Sequence, residues 1–158
     1  MAALGAQGRV VIEHRHGSAG TPTFAWWTWG PAEVGGPVLV SVTDFHLQRT
    51  ADLLRVYLAG LRLSRAWRSM SGAVGMWLWT KPLGKRSGSV SVWRSEKDLR
   101  HFVRWPRHVD LMRGYHDAGE LTSTTWREAR FDATGIWARA AAQLSGVDPE
   151  FANRGGQT

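Results

Sequence analysis

The chain has 158 residues, 43% of them apolar, with ten Trp, two Tyr and no Cys. That length predicts one domain with a real hydrophobic core, and the missing thiols exclude disulfides, thiolate catalysis and Cys-ligated metals. The net charge of +7 comes from 17 Arg and only 3 Lys; they are scattered rather than clustered, which reads as a solvated Arg-rich surface rather than a nucleic-acid footprint.

Residues 1–36 read as a Gly/Trp-rich N-terminal arm, with one short apolar run from Arg9 to Ile12. The stretch TPTFAWWTWG places Phe24, Trp26, Trp27 and Trp29 within six residues. So many aromatics are costly to leave in water, so an arm or added strand packed on the domain or across an interface is expected. His14 and His16 read as surface residues. No run reaches the roughly 18 apolar residues of a membrane span. The N-terminus lacks a basic-then-apolar signal pattern, so the expectation is a cytoplasmic protein with no membrane partner.

Residues 37–146 form the regular domain, and 147–158 a flexible tail. VLVSVTDFHL (38–47) alternates with period two and is rich in Val, which predicts a strand. Leu54, Leu58 and Leu61 recur at helical spacing within a predicted helix at 50–69. AVGMWLWTK (73–81) is the second strand, with Val74, Met76 and Leu78 expected on one face and Trp77 and Trp79 on the other. Pro82 to Lys85 turns a hairpin into a third strand at 87–94. Ser95 and Asp98 make a capping signature ahead of Leu99, Phe102 and Val103. Pro106 must break that helix near Trp105, and a second segment restarts through His108, Leu111, Met112 and Tyr115. His116-Asp117 ends it. LTSTTWREARF (121–131) is the fourth strand and TGIWARAAAQL (134–144) a terminal helix.

The order βαββαβ plus a helix predicts an α+β, ferredoxin-like sheet with two helices on one face. Trp77, Trp79, Trp93 and Trp126 recur on the strands and would need covering by a second subunit or a ligand.

The segment VSVWRSEKDLRHFVRWPRHVDLM resembles the strand–helix module of dimeric α/β-barrel proteins of the antibiotic-biosynthesis-monooxygenase type. Trp93, Leu99-x-x-Phe102 and Pro106-x-His108 carry the likeness. A weaker similarity extends to the haem-binding, spheroidene-monooxygenase-like branch. The module covers about forty residues and the element order 38–131. The resemblance implies a homodimer with facing sheets, and in each subunit a pocket between sheet and helices. It implies either no cofactor or haem, since such proteins include cofactor-free oxygenases, haem degraders, haem peroxidases and dehydratases.

His108 is the candidate catalytic residue, as base, hydrogen-bond donor or axial haem ligand; a packed histidine bonded to a carbonyl is the plain alternative. Trp77, Trp79, Trp93, Trp126, Met112, Tyr115 and Thr124, with Thr122, are the candidate substrate-binding residues for an apolar, polycyclic aromatic molecule. Core or dimer interface is the alternative for the indoles. Arg94, Arg104 and Arg107 surround the helix break and suit carboxylates or propionates. Asp44-x-His46 shares one strand face. His101 with His108 makes a poor metal pair because Pro106 disturbs the register. Nucleotide loops, hydrolase elbows and H-E-x-x-H are missing.

Three activities remain: a monooxygenase-like enzyme working in a water-poor pocket, a haem-binding protein of the same fold, and a non-catalytic ligand-binding or assembly domain.

Overall fold

The computed structural model describes residues 9–10 and 23–146. His14, His16 and the expected tail 147–158 lie outside them. The strands are β1 (Arg9–Val10), β2 (Phe24–Trp29), β3 (Val38–Leu47), β4 (Ala73–Lys81), β5 (Arg86–Trp93) and β6 (Gly119–Glu128). The helices are α1 (Thr50–Ser64), α2 (Glu96–Arg104), α3 (Pro106–Gly114) and α4 (Ala133–Leu144). The sheet runs β1-β2-β4-β5-β3-β6 with every neighbour antiparallel. Its last four strands have the ferredoxin-like order, and Phe24–Trp29 joins as a strand on the β4 edge.

Local chemistry sets the boundaries. The Ser95 hydroxyl accepts the Asp98 amide at 3.3 Å and donates to the Asp98 carboxylate at 2.6 Å, closing the N-terminus of α2. Trp105 is extended (φ −61°, ψ 128°) and Pro106 opens α3, so the proline separates two short helices as its geometry requires. Lys85 takes the left-handed conformation that turns β4 into β5.

The pleat gives the sheet two unlike faces. On the α1/α2 side, Leu39, Trp67, Ala73, Met76, Trp93 and Phe102 form one buried cluster, and Phe45, Leu47 and Leu53 a second. On the opposite side Val38, Val40, Val42, Val74, Trp77, Trp79, Val90, Val92 and Trp126 pack with Trp27 of β2 and with Ile136, Trp137, Ala140 and Leu144 of α4. Trp27 lies against Trp77, ring centroids 4.2 Å apart, over Gly75, where a Cβ would collide with the indole.

Three expectations change here. A bulge between Ala73 and Gly75 shifts the register, so Val74 sits with Trp77 rather than with Met76. The strand indoles were expected to need a second subunit or a ligand to cover them. Instead α4 covers them within one chain, and Trp77 (3% exposed), Trp79 (0%) and Trp126 (8%) are interior. Strand β6 ends at Glu128, three residues before the expected end.

Candidate functional site

The predicted site residues do not converge. Trp93 points to the α1/α2 side, while Trp77, Trp79, Trp126 and Thr124 belong to the α4 side. Trp93 is 0% exposed, edge-on to Trp67 at 4.6 Å and tilted against Phe102 at 5.2 Å. Its indole N–H donates to Ser91 Oγ at 3.0 Å, and Ser91 donates to the Ser41 carbonyl at 3.2 Å. Trp77, Trp79 and Trp93 are therefore core residues and line no described cleft, because each is closed in by neighbouring side chains. Trp126 donates to Glu128 Oε1 at 2.7 Å, and the Arg139 guanidinium of α4 stacks over its ring at 4.8 Å. Tyr115 packs beside Phe45, Leu47 and Leu53. Met112 is half-buried on α3, and Thr124 is exposed on β6.

His108 stands in the first turn of α3, its ring 4.5 Å from that of Phe102. Its Nδ1 lies 3.2 Å from the Val103 carbonyl. A carbonyl can only accept, so this contact fixes the Nδ1–H tautomer and leaves Nε2 with a free lone pair. Desolvation by the surrounding chain pushes the imidazole below its ordinary value, only partly countered by the bond to Val103. The ring is thus neutral near pH 7, as a base or an iron ligand must be.

The concave surface lies elsewhere. A cleft of about 570 Å³, open on one side, separates α2 from the β3–β6 edge. Leu39, Leu99 and Val103 give it an apolar lining; Trp126 borders it with its indole turned to the α4 side, Thr125 supplies a hydroxyl, and Glu96, Arg100, Arg104 and Arg127 complete it. Glu96 reaches Arg100 at 3.3 Å and Arg127 at 3.6 Å. Arg104 has no ion-pair partner among the described residues. A second cleft on the far flank of α2 is bordered by Lys97, Arg100, His101, Arg104, Trp105 and Pro106. Of the arginines singled out by sequence, Arg104 lines both clefts; Arg107 stacks on Trp105 at 5.6 Å. Arg100 and Arg127 were missed, since only the fold brings β6 beside α2.

Asp44 and His46 do pair, at 3.3 Å, on the α4 side of β3, and Arg86 clamps the same carboxylate. Neither cleft includes them. Among the described residues no group of three or more His, Asp or Glu can hold a metal ion, and no helix is long and apolar enough to cross a membrane.

The sequence matches no protein-family model and no curated protein. Solved structures do match in shape. A ferredoxin-fold protein of Listeria monocytogenes related to antibiotic-biosynthesis monooxygenases aligns with a TM-score of 0.56 at 13% identity, over 75% of this chain and 70% of its own. LmHde, a haem-degrading enzyme of the same organism, aligns at 0.50 and 14% identity, over 63% of this chain and 65% of its own. A candidate monooxygenase from Lactobacillus acidophilus aligns at 0.50 and 13% identity, over 57% of this chain. This chain spans only 44% of that protein's length. The chain therefore has the ferredoxin-like α+β fold of these solved structures.

A haem bound through His108 would need a slot wide enough for the macrocycle in front of Nε2. The ring is instead pressed on Phe102 and lines neither cleft. The described residues do not fit haem on this ligand.

Proposed function

We propose that the chain is a monooxygenase-like enzyme that receives a small, largely apolar aromatic substrate in the α2–β6 cleft and needs no haem for its reaction. The observation that carries this reading is an apolar lining bordered by three guanidinium groups, on a fold shared with monooxygenase relatives. An acidic phenol or anthrone lying on Leu39, Leu99 and Val103 loses a proton, and Arg100, Arg104 and Arg127 stabilise the anion left behind. The electron-rich anion then reduces O₂; one oxygen atom enters the substrate as a carbonyl and the other leaves as water with the two displaced hydrogens. The proton leaves to solvent through the open side of the cleft, because His108, the base expected from sequence, lines neither cleft. The cleft is open, so water is kept out by the substrate's own body rather than by an enclosing wall.

A homodimer is part of this proposal, and the open edge of β6 is its contact. From Leu121 to Trp126 that strand carries no charge and no proline, and five of the six residues are exposed. Such an edge is a template for another strand.

Oxygen uptake with a tricyclic anthrone tests the activity. The expected result is turnover at least tenfold above buffer and lost in an Arg104→Ala/Arg127→Ala variant. A panel of acidic phenols and anthrones giving no acceleration would overturn the reading, and a haem absorbance band gained on adding hemin, with activity appearing only then, would replace it with a haem enzyme.

A further inference from the structure

We infer that the α2–β6 cleft selects an amphipathic organic anion, a ligand carrying a permanent negative group on a flat apolar body. This rests on the same cleft being the substrate site.

The lining holds three cations and one anion, an excess of two positive charges within a single cleft. Glu96 is divided between Arg100 and Arg127 through different oxygens, at distances and exposures where each pair is weak. Arg100 and Arg104 stand four residues apart on α2, so they face the same way and repel each other. Arg104 meets that repulsion with no carboxylate in reach among the described residues. Beside these groups Val103 is 48% exposed and Leu99 half-buried, an apolar surface left wet within reach of unneutralised guanidinium groups. Apolar surface beside an excess of positive charge is matched on both counts by one ligand class. Its anionic head would take the fork-shaped donors of Arg104 and its neighbours, and its ring system would cover Leu39, Leu99 and Val103. The cleft's volume suits a molecule of ordinary cofactor or metabolite size.

Paired probes test this directly. 8-Anilinonaphthalene-1-sulfonate and neutral N-phenyl-1-naphthylamine have the same aromatic body and differ by the sulfonate. Fluorescence titration should give one saturable sulfonate site per chain, at least tenfold tighter than any site for the neutral probe. Arg104→Ala/Arg127→Ala and Val103→Asp should each weaken it about tenfold or more, while Arg55→Ala on α1 leaves it unchanged; a thermal melt of each variant confirms the fold. Equal binding of both probes, or indifference to the double substitution, overturns the inference. Displacement of the sulfonate by a short oligonucleotide, with the neutral probe never binding, would assign the arginines to a nucleic acid and overturn it too. Selective sulfonate binding without oxygen uptake sinks only the proposed activity; oxygen uptake with no preference for the charged probe sinks only this inference.

Discussion

His108 shows how one carbonyl sets the chemistry of a side chain. Val103 O occupies Nδ1, Phe102 shields one face of the ring, and the remaining nitrogen is left as an acceptor. Because the ring lines neither cleft, replacing His108 by Gln should leave oxygenase turnover within about twofold of the native chain, which steady-state oxygen uptake will report. Its titration also touches stability. Burial depresses the folded-state value, so the unfolded chain binds the proton more readily. The contribution of the neutral ring is complete above about pH 6.5 and is lost as pH falls through the depressed folded value. Thermal melts from pH 8 to 5 should therefore show a steeper acid loss for the native chain than for His108→Gln; parallel slopes would contradict it.

At the scale of elements, α4 and the α2 cap are the informative parts. Trp137 is 6% exposed and packs on Trp77 at 5.7 Å, so Trp137→Ala should cost about 3–5 kcal/mol in chemical denaturation. Ser95→Ala removes the bonds to the Asp98 amide and carboxylate and should cost about 1 kcal/mol. Much of this was legible beforehand. The Ser95 cap, the Pro106 break, the hairpin at Pro82 and the strand periodicities all act through nearest neighbours, which a sequence displays. The facing of Val74 was not, because a bulge is a mismatch between two strands. Nor was the opposite facing of Trp93 and Trp77: strand alternation gives sidedness within each strand, while the side shared between strands depends on their register. The cleft was half legible. Arg104 was marked by its place near the proline, whereas Arg100 and Arg127 gain meaning only when β6 pairs with β3 and brings Arg127 beside Glu96.

Across the whole molecule, the covering of the α4 side changes how copies can associate. The indole face is used inside the chain, and β6 is left as a ten-residue edge. Two-fold pairing of identical antiparallel strands places one residue opposite its own copy, and the chain's lack of cysteine makes that residue easy to find. Single substitutions Ser123→Cys and Thr124→Cys should differ sharply, one forming a covalent dimer under mild oxidation and the other little. A chain that sediments as a monomer at all concentrations, with neither variant cross-linking, would refute the edge contact.

The crowding of indoles has an optical consequence. Trp27 crosses Trp77 at 51° with centroids 4.2 Å apart, and Trp67 crosses Trp93 at 67° and 4.6 Å. Chromophores so near and so inclined share their excitations, and the resulting couplets overlie the far-ultraviolet bands of the peptide groups. Circular dichroism of this chain will therefore misstate its helix content, while the collapse of those couplets on heating will report the loss of side-chain packing separately from the melting of the backbone.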